Sequence, residues 1–293
     1  MSAGPMLTGR RIVRMNGAGN QILVLDLRGA KPLPSPAEAR AIHRAPGLAY
    51  DQMMVIGDPR EGAKIPFVTI YNSDGTLAGA CGNGSRCVAD RLARDTGAER
   101  LAFETEAGLI ACERLDEWIW RVDMGPPLLG WRDIPLAHEV ADTSRVALIW
   151  PEGDPAAELG RAATVSMGNP HAVFFVPDLF RIDAARLGPR VEIHPMFPAK
   201  ANVTFAQINA REDVAARVWE RGVGLTLACG SAACATLVAA ARAGLMEREG
   251  KVRLPGGELS IAWRASDDHV LMTGPVEFED EFVLSDSLFE AAL

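Results

Sequence analysis

Two of the five cysteines in this 293-residue chain sit in surroundings built for chemistry. Ala80-Cys81-Gly82-Asn83-Gly84-Ser85-Arg86-Cys87 is echoed by Ala228-Cys229-Gly230-Ser231-Ala232-Ala233-Cys234, with one residue deleted. In each, a cysteine is followed by glycine and a small polar residue, and then by a helix-forming run. Unpaired N–H groups at a helix start favour negative charge, so a thiol there is acidified and a carboxylate can dock beside it. Gly82 and Gly230 allow the backbone to approach a ligand closely. Doubled, the arrangement reads as stereochemical inversion: a thiolate removes a proton from one face of a carbon and a thiol returns one to the other. An ordinary thiol titrates near about 8.5, so both forms are reachable close to neutral pH. The two would titrate as a coupled pair.

Other uses of these residues are poorly matched. Cys87, Cys112 and Cys234 read as small buried hydrophobes. The Cys81–Cys87 gap is too long for zinc spacing, and His43, His138, His171, His194 and His269 are scattered, so no metal is expected. No Cys-x-x-Cys pair is present for redox work. Gly17-Ala18-Gly19-Asn20 lacks the third glycine of a nucleotide loop and precedes a strand. The Pro-rich stretch 31–36 reads as a loop.

The elements that must position the cysteines repeat as well. Cys81 and Cys229 are 148 residues apart, and Asn20 and Asn169, each preceded by glycine, are 149 apart. Nine residues before the cysteines stand Asn72 and Glu220. These matches at nearly one offset predict two homologous halves facing each other across a cleft. Short β-branched or aromatic runs predict strands at 22–27, 67–71, 118–124, 172–176 and 202–208. Helices are predicted at 36–45, 179–187, about 84–95 and about 232–243, the last Ala-rich enough to be buried all round. The Pro/Gly-rich segment 124–130 reads as the hinge between halves.

Bulk properties narrow the partners. A formal charge of −8 argues against nucleic acid, and 48% hydrophobic with 23% charged residues fits a globular protein. No apolar run approaches the ~18 residues of a membrane span. The start, Met1 to Arg11, lacks a secretory apolar core, so a cytoplasmic location with reduced thiols is expected.

Taken together, Met15-Asn16-Gly17-Ala18-Gly19-Asn20, Tyr50-Asp51-Gln52, Tyr71-Asn72-Ser73-Asp74-Gly75, the segment 80–84, Val165 to His171, Glu220-Arg221 and the segment 228–231 resemble the diaminopimelate epimerase family. The resemblance runs from Met15 to Thr273-Gly274-Pro275. It implies an α/β (α+β) fold of two pseudo-symmetric halves, each a curved, mostly antiparallel sheet around a central helix, with the site in the cleft between them. Residues 1–126 with 276–293 would form one half and 127–275 the other. It also implies cofactor-independent interconversion of LL- and meso-diaminopimelate, without pyridoxal phosphate or metal, in lysine and peptidoglycan precursor synthesis.

By motif position, the resemblance makes Cys81 the proton donor and Cys229 the acceptor in the LL direction. Gly82, Asn83, Gly230 and Ser231 would offer amides to the reacting carboxylate. Glu220 would meet the α-ammonium, and Arg221 the distal carboxylate through its planar fork. Asn20, Gln52, Asn72, Asn169 and Asn202 would supply neutral hydrogen bonds. His171 and Glu220 would modulate the thiols. Asn16, Gln21, Leu225 and Ala232 depart from residues common in the family. Phe278 lies where the family carries an aromatic contact between subunits, which implies a homodimer. The rival readings are a two-cysteine racemase of another amino acid, such as proline or histidine, and an amino-acid binding module without turnover.

Overall fold

The computed structural model describes residues 7–30 and 32–290. Residues 1–6 and Lys31, on which the expectations for the chain start and the 31–36 loop partly rest, lie outside the described residues. Contacts divide the chain into two units, one running through Val122 and resuming at Gly274, the other spanning Asp123–Thr273.

The first unit is built from β1 (Arg11–Asn16), β2 (Gln21–Asp26), α1 (Pro36–Arg44), β3 (Gln52–Gly57), β4 (Phe67–Asn72), β5 (Leu77–Ala78), α2 (Gly82–Thr96), β6 (Arg100–Thr105), β7 (Gly108–Asp116) and β8 (Ile119–Asp123). The second holds the short β9 (Val146–Ala147), then β10 (Arg161–Ser166), β11 (Pro170–Phe175), α3 (Ala184–Glu192), β12 (Asn202–Ala210), β13 (Asp213–Glu220), β14 (Gly224–Thr226), α4 (Gly230–Arg242), β15 (Glu249–Leu254), β16 (Gly257–Trp263) and β17 (Val270–Pro275). The chain rejoins the first unit at Gly274, near the end of β17, and continues into β18 (Glu277–Val283), which pairs antiparallel with β1.

The two units have one pairing scheme. In the first, β1–β2 is antiparallel, β2–β3 parallel, β3–β4 and β4–β5 antiparallel, β4–β6 parallel and β6–β7 antiparallel. The second repeats each step: β10–β11 antiparallel, β11–β12 parallel, β12–β13 and β13–β14 antiparallel, β13–β15 parallel and β15–β16 antiparallel. The molecule is a sheet-dominated α+β protein of two repeated halves.

Each sheet is covered on both faces, which is why its middle strands are apolar without alternation. Ile22, Leu23, Val24 and Leu25 on β2 are all buried. Leu23 and Leu25 join Ile12, Ala39, Ile42, Met53 and Val55 in the core under α1. The opposite face meets α2, which packs on β2, β3, β6 and β7. There Gly84 lies so close to β3 that an added Cβ would stand 2.5 Å from the Met54 sulfur. In the second unit α4 packs against β10, β11, β12, β13, β15 and β16, and its residues from Ala232 to Ala240 are all buried. Alanine serves both ends here: it favours the helix and keeps the cylinder thin enough for strands to close around it.

Local chemistry fixes the helix starts. Ser35 caps α1, accepting from Glu38 N while the Glu38 side chain accepts from Ser35 N, with Pro36 in the first turn. Two expectations are corrected. The run 179–187 is not one helix: a 3-10 turn at Leu179–Arg181 ends before α3 begins at Ala184. Asp178 and Asp183 each accept a backbone N–H from two or three residues on, and each thereby starts its own turn. The two central helices begin at Gly82 and Gly230, two residues earlier than their propensities predict. Cys81 and Cys229 are therefore the N-caps themselves.

Candidate active site

In the first unit, Cys81 stands in extended conformation at the cap of α2, and its Sγ accepts from Gly84 N at 3.2 Å. The same thiol donates to Gln52 Oε1 at 2.8 Å. Gln52 opens β3 and lies in register with Asn72 at the end of β4. Asn72 closes the following turn, its Nδ2 donating to Thr76 Oγ1 at 3.1 Å. Asn20 Nδ2 donates to Asp51 Oδ2 at 2.8 Å, and that oxygen also accepts Gln21 N. Asp51 thus joins the Asn20 turn to the start of β3. Asn20, Gln52, Asn72 and Cys81 are brought together at one end of this sheet.

The amides of Gly82 and Asn83 belong to the first turn of α2, where N–H groups have no intrahelical acceptor. The Asn83 side chain is buried, and its Oδ1 accepts from Arg86 Nη2 at 3.1 Å. Arg86 is itself fully buried and reaches Pro275 O with Nε at 3.3 Å. It ties the helix start to the Thr273-Gly274-Pro275 segment. Gly17 completes the contact: a Cβ there would lie 3.1 Å from Asn83 O.

The second unit presents Cys229 at the cap of α4, buried and without a side-chain capping bond. Its Sγ lies 3.5 Å from Ser231 Oγ, which accepts Asn169 Nδ2 at 3.4 Å. Asn169 Oδ1 in turn lies 2.8 Å from His171 Nε2. Glu220, ending β13, accepts from Thr226 Oγ1 at 2.6 Å. The acidification expected of a helix-start thiol is overturned at Cys229: burial pushes the thiol well above its ordinary range, and the Glu220 carboxylate pushes it further.

Asn202 and Arg221 form a bracket. Asn202 is buried, its Oδ1 accepting Arg221 N at 2.9 Å and its Nδ2 donating to Pro170 O at 3.2 Å. This amide shapes the turn carrying Glu220 and Arg221. The exposed Arg221 guanidinium donates to Ala199 O at 3.0 Å. From α3, Glu192 holds the other side of the turn, accepting Gly222 N at 3.0 Å and Trp219 Nε1 at 2.7 Å. Asp51, Arg86, Glu192 and Thr226 are the positioning residues that the sequence reading did not pick out. Asp51 and Arg86 appear there as members of quoted motifs, without a role.

Comparison with known proteins decides the family. The family model for diaminopimelate epimerase matches residues 12–129 and 163–279. The chain belongs to the diaminopimelate epimerase family. It is 52% identical over 286 residues to a diaminopimelate epimerase of Methylocella silvestris, covering 98% of each chain. It is 53% identical over 287 residues to one of Rhodopseudomonas palustris, again covering 98% of each. Among solved structures, the fold resembles a phenazine biosynthesis protein of the PhzF family from Enterococcus faecalis, with TM-score 0.65, 15% identity and 93% and 97% of the two chains covered. It also resembles a probable proline racemase from Agrobacterium radiobacter, with TM-score 0.66, 15% identity and 93% and 92% covered.

Within this family member His171 is uncharged at neutral pH: burial, helped by the Arg221 charge, lowers its pKa to about 3. It touches Cys229 only through Asn169 and Ser231. A neutral ring whose Nε2 faces a carbonyl oxygen carries its proton on Nε2, so His171 Nε2–H donates to Asn169 Oδ1 and holds the Asn169 amide with its Nδ2–H toward Ser231.

The same burial has a consequence for stability. The unfolded chain protonates this imidazole below about 6.5, whereas the native state refuses the proton until about pH 3. Its contribution is therefore full above pH 6.5 and is lost as pH falls from there toward 3. We expect the slope of unfolding free energy between pH 6.5 and 4.5 to be shallower in His171→Gln by up to about 1.4 kcal/mol per pH unit. Urea titrations across that range measure it, and parallel slopes would refute it.

Proposed function

We propose that this chain is an isomerase that interconverts LL- and meso-diaminopimelate by passing protons through Cys81 and Cys229. The observation that carries the reading is the placement of these two thiols at the caps of the equivalent central helices of two repeated units. The full-length identity to diaminopimelate epimerases supports the substrate.

In the LL direction the Cys229 thiolate takes the α-proton and the Cys81 thiol protonates the opposite face; in the meso direction the roles exchange. Negative charge that develops on the α-carboxylate during proton removal is met by the helix-start amides of Gly82, Asn83, Gly230 and Ser231. Glu220 takes the α-ammonium, and its placement next to Cys229 brings that ammonium beside the base. Arg221 takes the distal carboxylate, while Asn20, Gln52, Asn72, Asn169 and Asn202 serve the remaining polar groups directly or by shaping the turns that do. The chain's own residues supply both proton carriers, so the scheme needs neither pyridoxal phosphate nor metal.

The reaction belongs to lysine and peptidoglycan precursor synthesis, in a cytoplasm that keeps both thiols reduced. A homodimer is part of this reading. Its support is the half-exposed Phe278, which shares the Arg94 guanidinium with Trp118.

Proton NMR of the reduced protein with LL-diaminopimelate in D₂O tests the activity. Loss of the α-proton signal with growth of the meso isomer is the expected result. A folded, reduced sample that exchanges nothing would remove the substrate, and exchange on proline or histidine instead would transfer the two-thiol chemistry to that amino acid.

A further inference from the structure

Gln52 opens β3, and its counterpart in the second unit, Asn202, opens β12. The two amides do different work. Both ends of Asn202 are bonded to backbone, at Arg221 N and Pro170 O. Gln52 is one methylene longer and reaches the Cys81 sulfur, accepting its S–H at 2.8 Å. Among the described residues it makes no other side-chain hydrogen bond.

A terminal amide carries an acceptor and a donor at nearly interchangeable positions. A half-turn about its last torsion, which is broad and roughly two-fold, puts Nε2 where Oε1 stood. For Gln52 this turn breaks only the bond to Cys81. We propose that Gln52 is a positioning residue that follows the charge of Cys81, accepting from the thiol and, after a half-turn, donating to the thiolate. The inference rests on the two-thiol reading, in which Cys81 is a thiol in one half of the cycle and a thiolate in the other. Each state then keeps a hydrogen bond, so proton transfer does not strand a desolvated sulfur.

The backbone amide and the charged side chains of the first unit keep a fixed sign. Gly84 N donates to Sγ from a fixed backbone position. On α2 the ionisable neighbours are Arg86, Cys87 and, farther along, Asp90. Strands β3, β4 and β5 carry no charged residue, and Asp74 in the β4–β5 turn is held by Thr76. Asp26 of β2 is engaged by Arg28 and lies 3.6 Å from Arg91, ten residues along α2 and so about 15 Å away. On β6 and β7 stand Arg100, Glu104, Glu113, Arg114 and Asp116, with Arg100 and Glu113 paired at 2.7 Å. Of the hydrogen bonds that the Cys81 sulfur makes with Gly84 N and with Gln52 Oε1, the second can reverse its polarity.

Two substitutions in the full, reduced enzyme separate this role from substrate contact. Gln52→Met keeps length without a donor or acceptor, and Gln52→Glu keeps an acceptor and adds a charge. The readouts are kcat, KM and the pH midpoint of iodoacetamide labelling at Cys81, resolved by peptide mass spectrometry. In Gln52→Met the midpoint should rise by about half a pH unit, because the charge-assisted bond lost from the thiolate outweighs the neutral bond lost from the thiol. In Gln52→Glu it should rise by at least about one unit, since a carboxylate then opposes the thiolate. In both variants kcat should fall ~10-fold while KM stays within ~3-fold, the pattern of an interaction made along the proton-transfer path. A raised KM with unchanged kcat and unchanged midpoints would overturn the proposal and leave Gln52 as a substrate contact. Failure of the two-thiol reading shows separately, as wild-type enzyme that stays active when fully labelled at Cys81.

Discussion

Alanine at Cys81 or at Cys229 is expected to lower kcat/KM for epimerisation by ~10³-fold or more, the scale of a positioned acid or base. The loss should be equal in the two directions, because the enzyme does not alter the equilibrium between epimers. Both positions are helix caps, so alanine alone would confuse chemistry with capping. Serine resolves the two. It is a better N-cap than cysteine and preserves the turn, but its hydroxyl is a far weaker acid than a thiol. Cys81→Ser and Cys229→Ser should therefore fold like the parent by circular dichroism and still lose activity. Cys87 provides the control on the same helix: it is fully buried, and burial pushes its thiol up to about 12. Cys87→Ala should cost stability through the small cavity it leaves and keep turnover. A Cys229→Ser enzyme that retained a tenth of parental kcat/KM would end the two-thiol mechanism.

The features legible in the sequence were those that repeat or that act locally. The Cys81–Cys229 echo, the Asn20–Asn169 pair and the Asn72–Glu220 pair each fall at equivalent points of the two units. The helix starts were misplaced by two residues because Gly82-Asn83-Gly84 and Gly230-Ser231 are poor helix formers by propensity. Tertiary contact overrides it: the missing Cβ of Gly84 is what admits α2 against Met54. The break in 179–187 turned on two aspartates that cap in succession, a choice that a period-based reading does not see.

What the sequence concealed is the layer that holds the site residues still. Arg86 meets Pro275 across 189 residues of chain, and Glu192 meets Trp219 across 27. Neither pair has a spacing that marks it. The two halves also differ where the repeat predicts likeness. Gln52 and Asn202 occupy equivalent positions, yet one methylene sends the first to the Cys81 thiol and leaves the second bonded to backbone. The sequence places both amides in a polar site; only the structure separates the one that meets sulfur from the one that shapes a turn.

Glu220→Gln is expected to have the second-largest effect, and to show it in two independent ways. The carboxylate accepts from Thr226 and raises the Cys229 thiol by its charge. Glutamine keeps an acceptor for Thr226 and nearly the same shape, so the β13–β14 hairpin should survive. The charge is lost, and with it the partner proposed for the substrate α-ammonium. Removing one member of a hydrogen-bonded charge pair at a bound ligand costs about 2–5 kcal/mol, which places the fall in kcat/KM on the order of 10²-fold or more. The second effect has the opposite sense. A negative charge beside a thiol disfavours the thiolate, so deleting it makes Cys229 easier to ionise. The ascending limb of kcat/KM against pH for LL-diaminopimelate should therefore move to lower pH in Glu220→Gln, even as its plateau drops. The limb belongs to the coupled thiol pair rather than to Cys229 alone, but the sign of its movement does not depend on that assignment. A carboxylate that only bound substrate would lower the plateau and leave the limb in place. A limb that moved to higher pH would mean that Glu220 helps the base to ionise, which contradicts the electrostatics of the resting site.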